Sequence, residues 1–298
     1  MKNSRTITVR ILAGLLGAGL TLVPSLLWAQ PSAHYVPGVE GIKGASLPPP
    51  GVYVRDYNVF YFANQVNDFS GNEIPGLDPE VFIYANVPRI IWITELKVLG
   101  GNLGVDALVP LQYTDIGLID DSTFGVGDVF AEVTWSRHLQ QFDFSLGYGV
   151  YAPTGNSDPT PLNTKPGLGY WTHMFTAGAT WYPDKDKKWA VSALNRYEVN
   201  TEKDDTEGWR PGQVWTLEYG LSYGLRPTID LGVVGYYQLR TTESTGADDR
   251  EQVAAIGPEV SAFCTKLGLN TSLRYLYEFM AEGRLQGHTV ALTLTKKF

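Results

Sequence analysis

The sequence predicts an all-β protein, an antiparallel transmembrane β-barrel of about twelve strands behind an N-terminal signal peptide. Three observations lead there. Apolar and polar residues alternate over stretches longer than a soluble strand, connections alternate between short and long, and the first 29 residues have the make-up of a secretory leader. The stretch "QVWTLEYGLSYGLRP" carries the first point. Trp215, Leu217, Tyr219, Leu221, Tyr223 and Leu225 fall on one face over eleven residues, close to the roughly 9 to 11 needed to cross a bilayer as a tilted strand.

Residues 1–29 begin with Lys2, Arg5 and Arg10, continue as the apolar run "ILAGLLGAGLTLVPSLLWA" and end on the small residue Ala29, the expected cleavage point. Cleavage leaves 20 basic against 31 acidic residues, a net charge of −11. That balance, without any Lys/Arg cluster, excludes nucleic acid as a partner. The lone Cys264 cannot make an internal disulfide and reads as a small apolar filler.

Residues 30–51, "QPSAHYVPGVEGIKGASLPPPG", fit no strand. Their Gly and Pro content suits either a plug in the periplasmic mouth or lumen or a flexible periplasmic tail.

Residues 52–298 form the barrel. Alternation places strands at about 52–63, 82–98, 102–114, 126–138, 141–153, 169–183, 187–200, 213–226, 229–242, 251–264, 268–282 and 287–298. Connections after even strands are short ("GG", "LQ", "PDKDK", "RPT", "TKLG"). After odd strands most are long and polar, as in "NQVNDFSGNEIPGLDP", "TDIGLIDDSTFG" and "PTGNSDPTPLNTKPGLG". An outer-membrane barrel has this asymmetry between its periplasmic and outer rims, whereas a soluble β-sandwich does not.

With the aromatic face on lipid, the other face lines a lumen. Its charges are then Asp56, Arg89, Asp106, Asp128, Glu132, Asp143, Arg196, Glu198, Glu218, Glu259, Arg274 and Glu278. They suit either a space-filling network of ion pairs or the reading of a solute. Inward glycines at 147, 149, 220 and 224 are expected to leave room in the bore, and Phe60, Phe62 and Phe130 to line an apolar path through it.

No phosphate-binding loop, paired-cysteine motif or HExxH occurs, so no cofactor and no metal is expected. An outer-membrane hydrolase would need a histidine beside a hydroxyl; His173, with Thr172 or Thr176 as partner, is the one arrangement to weigh. A non-transporting adhesin displaying its long loops is a third class.

The stretches "HYVPGVEGIKGASLPPPGVYVRDYNVFY", "GVGDVFAEVTWSRHL", "GLGYWTHMFTAGATWYPD" and "TVALTLTKKF" resemble the meta-pathway phenol-degradation family of outer-membrane proteins, from about His34 to Phe298. The resemblance implies a Gram-negative outer-membrane location and passive uptake of small hydrophobic or aromatic compounds linked to their catabolism, with no catalytic residues to carry over. The expected partners are outer-membrane lipid and lipopolysaccharide, a small hydrophobic solute, and the barrel-assembly machinery. Phe298, with Leu294 and Leu292 in phase before it, is similar to the terminal signal that machinery recognises, and Lys296 departs from the pattern.

Overall fold

A computed structural model describes residues 33–160, 162–204 and 206–298. The expected signal peptide, residues 1–29, and its expected cleavage residue Ala29 lie outside the described residues. The described chain forms fourteen strand segments: β1 (Gly51–Val66), β2 (Val81–Val98), β3 (Gly101–Leu108), β4 (Leu111–Ile116), β5 (Asp121–Val126), β6 (Val129–His138), β7 (Phe142–Ala152), β8 (Thr172–Trp181), β9 (Trp189–Asn200), β10 (Val214–Arg226), β11 (Ile229–Arg240), β12 (Gln252–Cys264), β13 (Leu269–Glu282) and β14 (Leu285–Lys297). Every pairing is antiparallel, and β1 pairs with both β2 and β14, so the sheet closes on itself. No helix among the described residues is long and apolar enough to cross a membrane.

Twelve spanning strands result, because β3 with β4, and β5 with β6, each form one strand with a break. The first break is at Val109 and Pro110 and the second, opposite, at Gly127 and Asp128. Proline has no N–H to give to a ladder. The pairing is therefore bridged through carbonyls, with the Gly127 amide donating to Pro110 O (2.8 Å) and the Val109 amide to Pro88 O (3.3 Å).

The expected long loop "TDIGLIDDSTFG" needs correction. Strand pairing continues to Ile116 and resumes at Asp121, leaving residues 117–120 as a tight turn. Its Asp, Ser and Thr read as loop residues, but here they extend a hairpin beyond the belt, where polar side chains meet water.

The faces are inverted relative to a soluble protein. Along β7, Phe142, Phe144, Leu146 and Tyr148 are 36–53% exposed, whereas Asp143 and Ser145 are buried at 5% and 2%. Along β10, Leu221, Tyr223 and Leu225 are exposed while Thr216, Glu218 and Ser222 are buried. Hydrocarbon is the solvent that fits such an outer surface. Aromatic pairs ring both rims: Trp189 with Tyr223 (4.9 Å between centroids) at the short-turn end, Trp215 with Tyr237 (5.9 Å) at the long-loop end.

Short turns are built locally. Between β2 and β3, Leu99 and Gly100 both take positive φ (51° and 78°), the two-residue geometry that matches strand twist. Between β8 and β9 the Asp184 carboxylate accepts the amides of Trp189 (2.8 Å) and Lys188 (2.9 Å), which hold its carboxyl below the usual carboxylate range. A depressed pKa means the turn gains stability above the ordinary carboxylate pKa near ~4 and loses it as pH falls through the folded value. The protection of the Trp189 amide, its exchange rate relative to the intrinsic rate at each pH, is expected to fall on acidification in the native chain and to be uniformly low in Asp184→Ala.

Candidate functional site: a lumen occupied by residues 33–50

The bore is filled from within by the stretch before β1. Its path runs from the short-turn rim, where Lys297 Nζ donates to Pro50 O (3.0 Å) and Tyr53 Oη to Pro49 O (2.7 Å), up to the long-loop half. Glycines and prolines deny it regular structure, so its amides need other acceptors. They find strand carboxylates. The Ile42 amide donates to Glu259 (3.0 Å), those of Glu40 and Gly38 to Glu218 (3.1 and 3.0 Å), and those of Tyr35 and His34 to Glu198 (3.1 and 2.9 Å). Gly38 and Gly41 have φ of 83° and 71°, and a Cβ on either would strike Leu276 and the Glu259 carboxylate. Only glycine meets both demands.

Charge completes the fit. Glu40 lies among three guanidinium groups from three strands, Arg55 (2.7 Å), Arg89 (3.0 Å) and Arg196 (3.2 Å). Arg89 also holds Asp106 through two bonds of 2.9 Å and Glu132 at 3.1 Å. Arg274 pairs with Glu259 (3.3 Å) and donates to Gly38 O (2.9 Å). The Tyr35 ring lies 4.0 Å from the Arg196 guanidinium and its hydroxyl donates to Glu218.

Near the long loops, the His34 imidazole sits between Asp128 Oδ2 and Thr172 Oγ1, each 2.8 Å away, and stacks on Tyr151. Asp128 also accepts the amides of Gly155 and Leu168 (2.8 Å each), so one carboxylate ties the strand break, the loop after β7 and the inner segment together.

All eleven of Arg89, Asp106, Asp128, Glu132, Asp143, Arg196, Glu198, Glu218, Glu259, Arg274 and Glu278 turn to the lumen and are buried. Asp143 stands apart, bound to Tyr182 (2.7 Å) and His138 (2.9 Å), and Glu278 accepts the hydroxyls of Tyr61 (2.9 Å) and Tyr236 (2.7 Å). Phe130 also points inward, 1% exposed and 4.3 Å from the Tyr151 ring.

Three expectations are corrected. Phe60 and Phe62 face outward, Phe60 stacked with Tyr84 and Phe62 tilted against Phe82, and Asp56 shares that face, hydrogen-bonded to Asn58 and Asn86. The inward set of β1 is Tyr53, Arg55, Tyr57, Val59 and Tyr61. Both faces of this strand are largely apolar, since the inner one packs against residues 33–50, so alternation could not fix its phase. The inward glycines do not leave an open bore either: the Cβ space of Gly147 is taken by the Glu132 carboxylate and of Gly149 by the Phe130 ring, while Gly220 is bordered by Val234 and Ile42, and Gly224 by Asp230 and Lys188, near contact distance. Finally, His173 bonds the Tyr148 hydroxyl (2.8 Å) on the outer face, while Thr172 and Thr176 are on the lumen face, so the histidine–threonine pair does not form.

Sequence reading missed His34, Tyr35 and Glu40, because a Gly/Pro-rich stretch shows no periodicity to assign, and Arg55, because β1 took the opposite phase.

What room remains is divided. Toward the long loops are two adjoining, mainly apolar cavities of about 100 and 110 Å³; toward the short turns is a polar one of about 240 Å³, edged by Lys43, Arg55, Asp230 and Arg274. Glu40 lies at the border of the two halves.

A family profile described as "Putative MetA-pathway of phenol degradation" matches residues 63–294. Among solved structures the chain is similar to an outer membrane channel from Pseudomonas putida F1, with TM-score 0.76 and 16% identity over 89% of this chain and 100% of that one. It is more loosely similar to the β-domain of the Bordetella autotransporter BrkA, with TM-score 0.49 and 12% identity over 84% of this chain and all of that one. No curated relative matches in sequence. At such identities the likeness to the first structure establishes the outer-membrane barrel fold, and the second adds no argument.

Proposed function

The chain belongs to the family of the MetA pathway of phenol degradation, and on that premise we propose that it is a passive outer-membrane conduit for small hydrophobic or aromatic compounds, with residues 33–50 as its internal plug. The observation that carries the reading is the pair of apolar cavities inside a lumen whose remaining wall is charged. A structural barrel filled for stability alone would close that space, because interiors pack to crystal-like density. The ion pairs around Glu40 then hold the plug in place rather than read the solute.

Transport without chemistry suits the buried Thr172–His34–Asp128 contact as well. Its imidazole edges one of the apolar cavities but is held between Thr172 and Asp128 and packed by Tyr151 and Tyr170, so it serves as an anchor. Phe298, exposed at the end of the last strand, is left to the assembly machinery, and the long loops to lipopolysaccharide.

The test is flux into proteoliposomes. Full-length mature protein is expected to admit phenol or toluene faster than protein-free vesicles and to leave glucose excluded. Deleting residues 31–48 is expected to raise both ion conductance and solute flux several-fold. Equal flux with and without the protein would overturn the conduit, and a deletion that changes neither conductance nor flux would overturn the plug.

A further inference from the structure

The two apolar cavities share Ala33, Tyr35, Val36, Val59, Ala85 and Gln112, and so form one chamber between the upper plug and the wall of β1, β2 and β4. Register explains why it exists. Val59 pairs with Ala85 and Ala85 with Gln112, so three neighbouring strands place a row of slender side chains across the wall. The inward neighbours along β1 are Tyr57 and Tyr61, whose rings bound the row above and below. Each cavity is smaller than, and the two together larger than, the ~150 Å³ apolar cavity known to take up benzene.

One polar group in that row is unengaged. The Gln112 amide nitrogen donates to Thr114 Oγ1 (2.8 Å), while its carbonyl oxygen has no partner among the described residues. The arginines that edge the chamber are committed elsewhere: Arg89 and Arg196 to Glu40, and Arg284 to the Gln238 carbonyl oxygen (3.2 Å). Carboxylates stand at both ends, Glu251 and Glu278 in one cavity and Asp128 in the other.

We infer that this chamber is a binding site for one uncharged molecule of about a single ring, its apolar body against Val59 and Ala85 and a hydroxyl donated to the Gln112 carbonyl. Apolar area gives most of the affinity. The hydroxyl contact separates a phenol from its hydrocarbon counterpart, and the carboxylates at the two ends disfavour an aromatic acid, whose charge finds no free cation there. The assignment rests on the uptake reading and adds to it the place and polarity of the solute.

Full-length mature protein in nanodiscs, titrated separately with phenol, toluene and benzoate and followed by saturation-transfer NMR, tests it. Phenol is expected to bind about five- to tenfold more tightly than toluene, the worth of one net hydrogen bond, and benzoate more weakly than either. Gln112→Leu should bring phenol down to the level of toluene and leave toluene unchanged. Ala85→Phe should abolish binding of both while the heat-modifiable mobility of a folded barrel persists, and Val59→Phe, filling the chamber from the adjacent strand, repeats that test independently. A phenol-to-toluene ratio untouched by Gln112→Leu, or undiminished binding in both filled variants, overturns the site. Wild-type binding without flux would sink the uptake reading and leave the site standing; flux that both filled variants preserve would do the reverse.

Discussion

Replacing Glu40 with alanine is expected to unseat residues 33–50. The substitution removes the one anion shared by Arg55, Arg89 and Arg196, at 2.7, 3.0 and 3.2 Å. Taking away one partner of a buried ionic cluster costs about 3–5 kcal/mol, because the remaining charges stay desolvated. Arg89 keeps Asp106 and Glu132, and Arg196 keeps the nearby Glu132 and Glu218 carboxylates, which softens the loss, but Arg55 retains only neutral contacts with Tyr57 and Thr295. A shift of that size moves a seated-to-unseated ratio by roughly two orders of magnitude or more. Mean single-channel conductance in planar bilayers should rise several-fold and trypsin should begin to cut after Lys43. Glu40→Gln, which still accepts hydrogen bonds, should fall between. Unchanged conductance together with continued trypsin resistance would mean the amide–carboxylate contacts alone hold the segment.

The second large effect is expected at Asp128. Its carboxylate accepts from His34 Nε2 and from the Gly155 and Leu168 amides, all at 2.8 Å. Alanine leaves three buried donors unsatisfied, at about 1–3 kcal/mol each. Because two of them belong to the loop after β7 and one to the plug, both should loosen at once. Hydrogen exchange at Leu168 should accelerate about a hundredfold or more, and Asp128→Asn, keeping one acceptor oxygen, should lose less. Loss of protection in the loop without any rise in conductance would show that plug and loop are held independently.

Much of this architecture was legible in the chain. Alternation over eleven residues from Trp215 located β10 because its two faces differ so sharply in polarity, and the same contrast fixed the inward phase of Asp143 in β7 and of Arg274 and Glu278 in β13. Legibility failed where that contrast failed. Tyr53, Tyr57, Val59 and Tyr61 face a proteinaceous filling rather than water, so β1 is apolar on both sides and Phe60 and Phe62 were assigned to the wrong one. The carboxylates of Glu198, Glu218 and Glu259 could be placed in the lumen, but their partners could not, since those are main-chain amides of a segment whose path no periodicity encodes. His34 and Glu40 became meaningful only when tertiary structure brought Asp128 and the arginines to them.

The dependence of those acidic side chains on main-chain amides carries a consequence for selectivity. Were the plug withdrawn entirely, Glu198, Glu218 and Glu259 would lose their donors and face open water in one narrow bore, with the Glu40 arginines left to neutralise only part of the field. Such a tube would favour cations over anions, so a barrel emptied of residues 33–50 would conduct sodium and potassium in preference to chloride.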